Sequence, residues 1–190
     1  MRVLNRRGML AIAGTLAVAS HAGKSPAAER HPEFTAAGGL PPAALTVLRQ
    51  PSLAPDITFL QADGTERRLS EFRGHGMVLN FWATWCAPCV AEMPALAVLS
   101  AALAPHDIAV MPLSSDRGGA AVVRRFYDAQ KIAALPILLD PKGEAGRKFA
   151  VRGIPVTLII DKQGRLCARM EGAADWSSRA IAAQIRGLVG

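Results

Sequence analysis

Two cysteines lie two residues apart in the segment Trp85-Cys86-Ala87-Pro88-Cys89, and this spacing points to thiol chemistry. The second thiol can reach back to the first sulfur, so the pair can close a small disulfide and reopen it by exchange. The apolar run before the pair, residues 77–82, is typical of a buried strand. The pattern therefore predicts a redox site where a strand passes into a helix.

The position of Cys86 at the start of the predicted helix gives the two thiols different roles. Unpaired N–H groups and the positive end of the helix dipole favour a thiolate there, which lowers the cysteine pKa from about 8.5. Pro88 fits the first helical turn, because its missing N–H would have no partner in that position. We expect Cys86 to exchange with the substrate and the more buried Cys89 to resolve the mixed disulfide.

Residues 53–190 predict the elements that position this pair. Strands that alternate with helices, followed by a hairpin and a helix, indicate an α/β fold with a central mixed sheet covered on both faces. Ser177 is the expected cap of the last helix. The predicted elements are a hairpin at 57–69, strands at 78–82, 108–113 and 137–139, helices at 86–103, 119–130 and 143–149, a hairpin at 157–170 and a helix to about 188.

The N-terminal residues predict export. Residues 1–22 combine three arginines, a short apolar stretch and a small residue at the end, as in a secretory signal peptide. A twin-arginine signal, a general signal and an uncleaved membrane anchor all stay open. Residues 23–52 are rich in proline and alanine and predict a linker. We therefore expect a periplasmic or other extracytoplasmic protein, with a membrane tether as an alternative.

The chain carries 22 basic and 15 acidic residues, for a net charge of +7. Loss of residues 1–22 would remove three arginines and leave a net charge of +4. Because the basic residues are scattered along the sequence, we interpret them as ordinary solvated surface, with weak attraction to anionic membrane as the lesser alternative. This scatter excludes nucleic acid as the expected partner.

The remaining titratable residues do not predict a metal site. Cys167 is interpreted as a small buried hydrophobe. A zinc site needs four ligands, which are not grouped here around the cysteine pair or around His21, His31, His75 and His106. Two soft thiolates can hold Cu(I), so a copper or thiol carrier without turnover stays open. We expect no cofactor beyond the redox-active disulfide of Cys86 and Cys89.

Residues 78–89, together with Glu92, Pro94 and the segment Gly153-Ile154-Pro155-Val156-Thr157, resemble a thioredoxin-fold protein. They are most similar to the exported thiol–disulfide reductases of the TlpA/ResA type, over about residues 53–190. The resemblance implies a thioredoxin-like fold with an N-terminal hairpin and an inserted strand–helix unit within residues 108–140. It also implies a cis peptide bond before Pro155, which faces the cysteine pair.

The same resemblance implies an enzyme that reduces disulfides of specific partner proteins. It suggests apocytochrome c or copper-delivery proteins for oxidase assembly as substrates, and a membrane thiol carrier as electron donor. Trp85, Ala87, Pro88 and Ile154 are the expected substrate-binding residues, and the backbone of Ile154 could pair with an extended substrate segment. Trp85 is expected to shield the disulfide rather than take part in the chemistry.

Glu92 occupies a position where the TlpA/ResA group has an acid near the site. It is a candidate catalytic residue that influences the thiol pKa values or relays a proton, and a solvated helix carboxylate is the alternative. Thioredoxin itself usually has a buried aspartate where this chain has Asn80. Because an amide cannot take up a proton, that route for deprotonating Cys89 is absent here.

The residues between the cysteines bear on the direction of the reaction. Ala87 and Pro88 add no charge that would strongly stabilise a thiolate, which favours a reductant over a strong oxidant. A peroxiredoxin-like peroxidase, which shares the fold, is the alternative enzyme. Thr84, two residues before Cys86, faintly resembles a residue of a peroxide site. The proline and arginine expected around such a site are not evident.

Overall fold

A computed structural model describes residues 45–190 of the chain. Residues 1–22 and 23–44, the predicted signal or anchor and most of the predicted linker, lie outside the described residues. The strands are β1 (Thr46–Leu53), β2 (Thr58–Gln61), β3 (Glu66–Arg68), β4 (Gly76–Trp82), β5 (Ile108–Ser114), β6 (Leu138–Leu139), β7 (Val156–Ile160) and β8 (Arg165–Glu171). The helices are α1 (Ala87–Leu103), α2 (Gly119–Gln130), α3 (Glu144–Lys148) and α4 (Arg179–Val189).

All eight strands belong to one mixed sheet, in the order β1-β8-β7-β4-β5-β6-β2-β3. Strand β4 is central and every one of its residues is buried, as its continuous apolar run predicts. It pairs in parallel with β5 and antiparallel with β7, so that Phe81 lies opposite Val156. This register brings the loop before β7 to the end of β4, where the cysteine segment begins.

Successive side chains of a strand point to opposite faces of the sheet, so the apolar strand β4 presents apolar side chains on both faces. Helices cover both faces. Val78 and Trp82 of β4 pack in one core with buried residues of α1, α2 and α4. Met77, Leu79 and Phe81 pack in the other core with α3 and the β2–β3 hairpin. The predicted α/β fold with a central mixed sheet is therefore confirmed.

Helix α1 follows the cysteine loop and carries the second cysteine. Its buried face contains Met93, Leu96 and Leu99, which pack against the sheet, whereas Pro94 lies inside the helix on its exposed side. By length and composition, one helical stretch in residues 45–190 would suit a membrane span, Ala87–His106. Because its apolar inner face is packed in the core, this stretch is a core helix of the domain.

Helix α2 and strand β6 lie between β5 and α3, within the segment 108–140 that was expected to hold an additional unit. Val123 and Tyr127 are the buried residues of α2, and Val122 and Phe126 are half-buried. The rings of Trp82 and Tyr127 stack with centroids 5.9 Å apart. This contact joins the central strand to α2.

Two local predictions are wrong. Residues 46–52 belong to β1 rather than to a linker, and β1 pairs antiparallel with β8. Its residues are almost all exposed, so backbone pairing rather than an apolar pattern holds it in place. The last helix is preceded by Ser178 instead of Ser177, and no side chain caps it. The Ser177 backbone N–H donates to Asp175 Oδ1, so Ser177 belongs to a turn before the helix.

Candidate functional site

The two cysteines form a disulfide at the junction of β4 and α1, with the Cα atoms 5.2 Å apart. Cys86 precedes the first residue of α1, and its Sγ accepts a hydrogen bond from the Cys89 backbone N–H at 3.3 Å. Cys86 is 6% exposed and Cys89 is 0% exposed. The first sulfur is therefore at the surface edge and the second lies beneath it, which agrees with the expected difference in burial.

The loop before β7 lies against the disulfide. The peptide bond between Ile154 and Pro155 is cis, as the resemblance implied. The carbonyl oxygen of Ile154 is 3.7 Å from Cys86 Sγ. Pro155 is buried and Ile154 is half-buried, so the backbone of this loop borders the sulfur that faces solvent.

Glu92 is buried, with 1% of its surface exposed, so the alternative of a solvated helix carboxylate is wrong. Its Oε2 accepts from Trp176 Nε1 at 2.9 Å and from the Ala174 N–H at 3.1 Å. Its Oε1 accepts from Asn80 Nδ2 at 3.0 Å. Burial raises the pKa of this carboxyl group, and the three donors offset only part of that effect.

Asn80 connects this carboxyl group to the central sheet. Its Nδ2 also donates to Thr157 Oγ1 at 3.0 Å, whereas its buried Oδ1 has no partner in the described part of the chain. Cys89 and Glu92 are three residues apart on α1 and share one face of the helix. Both side chains are buried, so the carboxyl group lies in the core within one helical turn of Cys89 along α1.

A groove of about 640 Å³ opens beside Cys86. The predicted substrate-binding residues Trp85, Pro88 and Ile154 line it, and Phe81 contributes to its wall. Trp85 is 69% exposed, so it offers apolar surface beside the disulfide. Ala87 is also exposed but does not line the groove.

The same groove brings together basic residues that are far apart in the sequence. Arg117, Lys142, Arg147 and Arg152 line it, and all four are exposed. The one carboxylate in its lining belongs to Asp140, which is buried and accepts hydrogen bonds from two backbone N–H groups. The interpretation of the basic residues as scattered surface missed this grouping, because it arises only when three loops meet.

Asp116 fixes the loop that leads from β4 to Cys86, and sequence reasoning missed it. It accepts from the Thr84 N–H at 2.9 Å, from Thr84 Oγ1 at 2.7 Å and from Ser114 Oγ at 2.7 Å. The Thr84 hydroxyl is therefore engaged by Asp116.

Cys167 is 4% exposed, in agreement with its interpretation as a buried residue. Burial raises the pKa of its thiol, and the negative charge of Asp161, whose Oδ2 lies 3.5 Å from Cys167 Sγ, raises it further. This thiol is therefore poorly suited to exchange. Within residues 45–190, no group of three or more histidine, cysteine or acidic residues is arranged to hold a metal ion.

Comparisons with known proteins agree with this site. The family model described as AhpC/TSA matches residues 52–169. The thiol-disulfide oxidoreductase ResA of Bacillus thuringiensis subsp. konkukian is 30% identical over 119 residues, which are 63% of this chain and 68% of that protein. ResA of Oceanobacillus iheyensis is 33% identical over 131 residues, which are 67% of each chain.

Solved structures are similar to the same domain. A protein assigned as the thiol:disulfide interchange protein DsbE of Chlorobium tepidum has 28% identity and a TM-score of 0.66, covering 75% of this chain and 99% of its own. The exposed lipoprotein thioredoxin of Streptococcus pneumoniae has 28% identity and a TM-score of 0.59, covering 70% of this chain and 99% of its own. The expected thioredoxin-like fold is therefore confirmed.

Proposed function

Since this chain belongs to the AhpC/TSA family and is a thiol–disulfide oxidoreductase, we propose that it reduces disulfides of specific partner proteins outside the cytoplasm. The observation that carries the proposal is the disulfide of Cys86 and Cys89, with the more exposed sulfur beside the Ile154 carbonyl. Cys86 Sγ is accessible to a substrate, and Cys89 Sγ lies beneath it. This is the arrangement that two-step dithiol exchange requires.

In the proposed reaction, the reduced protein transfers two electrons and two protons to the substrate. The Cys86 thiolate attacks one sulfur of the substrate disulfide, forms a mixed disulfide and releases the other substrate sulfur as a thiolate that takes up a proton. Cys89 then loses its proton, its thiolate attacks Cys86 Sγ, and the second substrate sulfur leaves as a thiolate that takes up a proton. The products are the Cys86–Cys89 disulfide and a substrate dithiol.

Residues around the cysteines support these steps. The start of α1 provides backbone N–H groups and a positive dipole end, which favour a thiolate at Cys86. The backbone next to Pro155 offers an edge on which an extended substrate segment can lie. Glu92 is the acid that would accept the Cys89 proton or tune the thiols. Titration of the thiols in Glu92→Gln tests this role. An unchanged thiol pKa together with an unchanged exchange rate would contradict it.

The partners follow from the resemblance and remain part of the proposal. Apocytochrome c and copper-delivery proteins for oxidase assembly are the proposed substrates, and a membrane thiol carrier is the proposed electron donor. Ala87 and Pro88 between the cysteines support reduction over strong oxidation, since neither stabilises a thiolate by charge. A reduction potential of about −120 mV, as in known strong oxidants, would reverse the direction.

Export is also proposed, with the N-terminal residues acting as a cleaved signal or as a tether. The basic, apolar and small-residue segments of residues 1–22 support this proposal. A solved relative described as an exposed lipoprotein supports it as well. Detection of the chain in a periplasmic or membrane-surface fraction, with its N-terminus sequenced, would distinguish cleavage from retention.

Substrate trapping tests the function directly. In Cys89→Ala, the mixed disulfide at Cys86 cannot be resolved, so partner proteins should accumulate as adducts that reducing agent releases. The matched control is Cys86→Ala, which leaves the buried Cys89 and should trap little. If both variants trap the same proteins to the same extent, or neither traps any, the proposed exchange at Cys86 is wrong.

A further inference from the structure

The groove beside Cys86 carries a positive charge that dithiol exchange itself does not require. Its basic residues come from three separate segments: Arg117 follows β5, Lys142 and Arg147 belong to the α3 region, and Arg152 precedes the cis-proline loop. The same groove is lined by Cys86 and Ile154. The charge therefore lies where a substrate must approach the reactive sulfur.

The described part of the chain offsets only a small part of this charge. Its four salt bridges lie elsewhere and involve Arg67, Arg68, Arg165 and Arg169. Arg147 Nη1 donates to the Lys142 carbonyl oxygen at 2.8 Å, which positions the guanidinium without neutralising it. The buried carboxylate of Asp140 is engaged by the N–H groups of Glu144 and Gly146. Four cations against one carboxylate leave the lining of the groove with a net positive charge.

We propose that this groove selects partner polypeptides that carry acidic residues close to their reactive disulfide. This inference rests on the proposed function, and it names the class of substrate on which the same site acts. Charge complementarity carries the argument, because a concave surface lined by charges of one sign attracts ligands of the opposite sign and raises their association rate.

A polypeptide fits this groove better than a lipid surface does. The occupant must bring a sulfur to Cys86 while it contacts the basic residues, and a flat membrane surface cannot enter a concave groove. A volume of about 640 Å³ is sufficient for several side chains. Trp85 and Phe81 add apolar wall to the groove, which suits a chain of mixed residues rather than a bare anion.

Three disulfide-bonded peptides of equal length test the proposal, with aspartates, serines or lysines next to the cysteines. The reduced wild-type protein should reduce the aspartate peptide about tenfold or more faster than the lysine peptide at low salt. This ratio should approach one at about 1 M salt, where the screening length falls to about 3 Å. Equal rates at low salt would overturn the proposal.

Charge-reversal variants show which residues cause the preference for the aspartate peptide. The double variant Arg117→Glu/Arg152→Glu should abolish or invert the aspartate-to-lysine ratio. The matched control Arg179→Glu/Arg186→Glu makes the same change of net charge at exposed positions of α4 outside the groove. Ratios are compared because loss of nearby cations also raises the thiol pKa and slows every substrate. An equal change of the ratio in the control would overturn the proposal.

One further substrate, oxidised glutathione, and the serine peptide separate the remaining explanations. Oxidised glutathione is a small anionic disulfide; if the groove variant slows it as much as the aspartate peptide, the groove selects a small anion and the polypeptide assignment is wrong. The serine peptide reports exchange without charge. If the wild-type protein reduces none of the disulfides, the proposed function itself fails, whereas equal rates for all peptides overturn only the selectivity.

Discussion

The indole Nε1 of Trp176 donates a hydrogen bond to Glu92 Oε2 at 2.9 Å. This contact joins the segment before α4 to the first half of α1, and both side chains are buried. The Glu92 carboxyl group on α1 is therefore held in part by residues far away in the sequence. Its protonation and the packing of the C-terminal segment are coupled through this hydrogen bond.

Trp176→Phe should destabilise the oxidised protein by about 2 kcal/mol, because it leaves a buried carboxyl group without one donor. The loss should also raise the pKa of Glu92 further, since the indole favours the charged form. Urea denaturation at neutral pH measures the free energy of unfolding. The matched control is Trp85→Phe, which changes an exposed indole and should alter stability by less than about 0.5 kcal/mol. Equal losses in the two variants would contradict the assigned role of Trp176.

The burial of Glu92 predicts a pH dependence of stability. Its pKa in the folded protein lies above its ordinary value of 4.5, so the folded state binds the proton more tightly than the unfolded state. The stability contribution of this group is therefore complete below about pH 4.5 and is lost as the pH rises through the folded-state pKa. Each tenfold difference in proton affinity corresponds to about 1.4 kcal/mol.

Glu92→Gln should remove this pH dependence. The unfolding free energy of the wild type relative to that of Glu92→Gln should fall as the pH rises from about 4 to 8. Urea denaturation of the oxidised proteins measures this difference, since disulfide-bonded cysteines do not titrate. A difference that stays constant would mean that Glu92 ionises as easily in the folded as in the unfolded protein, and one that grows with pH would mean that it ionises more easily in the folded protein; either result contradicts the prediction.

The reactive core of the site is predictable because its signals are local. The pairing of Cys86 with Cys89 is determined by their spacing, and the apolar run of β4 is long enough to indicate a buried strand. The segment around Pro155 resembles a known loop, and its cis peptide bond was therefore expected. These features depend on neighbouring residues, so a single sequence contains them.

Other features depend on contacts between residues far apart in the sequence, and the sequence analysis did not predict them. Strand β1 is exposed and contains Pro51, so it lacks the alternating apolar pattern and forms only because β8 offers an edge. The contact of Trp176 with Glu92 joins residues 84 positions apart. The basic groove arises where separate loops meet, so charges that look scattered in the sequence converge in space.

Cys167 should be unreactive in the native protein. Its thiol is buried and its pKa is raised by burial and by the charge of Asp161. The oxidised native protein should therefore incorporate no maleimide during a time in which the unfolded oxidised protein incorporates one. Mass spectrometry counts the labels, and Cys167→Ala should remain unlabelled even after unfolding. Rapid labelling of the native wild type at Cys167 would contradict the burial of this thiol.

Gly76 begins the central strand at a point where no side chain fits. A Cβ atom at this position would overlap Val189 Cγ1 at the end of α4 and would lie 3.0 Å from Ile108 Cγ1. Gly76→Ala should therefore destabilise the protein by about 1–3 kcal/mol, as overpacked cores do. The loss is expected even though alanine is otherwise favourable in place of glycine, because the packing of α4 on β4 must open.

Two further variants make the Gly76 prediction specific. Val189→Ala shortens the overlapping side chain, so a double-mutant cycle with Gly76→Ala should show a favourable interaction of about 1 kcal/mol. Gly187→Ala is the matched control, because a Cβ at this helical position meets nothing within 4 Å and should stabilise α4 by up to about 1 kcal/mol. Chemical denaturation measures all four variants. If the effects of Gly76→Ala and Val189→Ala on the free energy of unfolding are simply additive, α4 does not pack on the start of β4 as described.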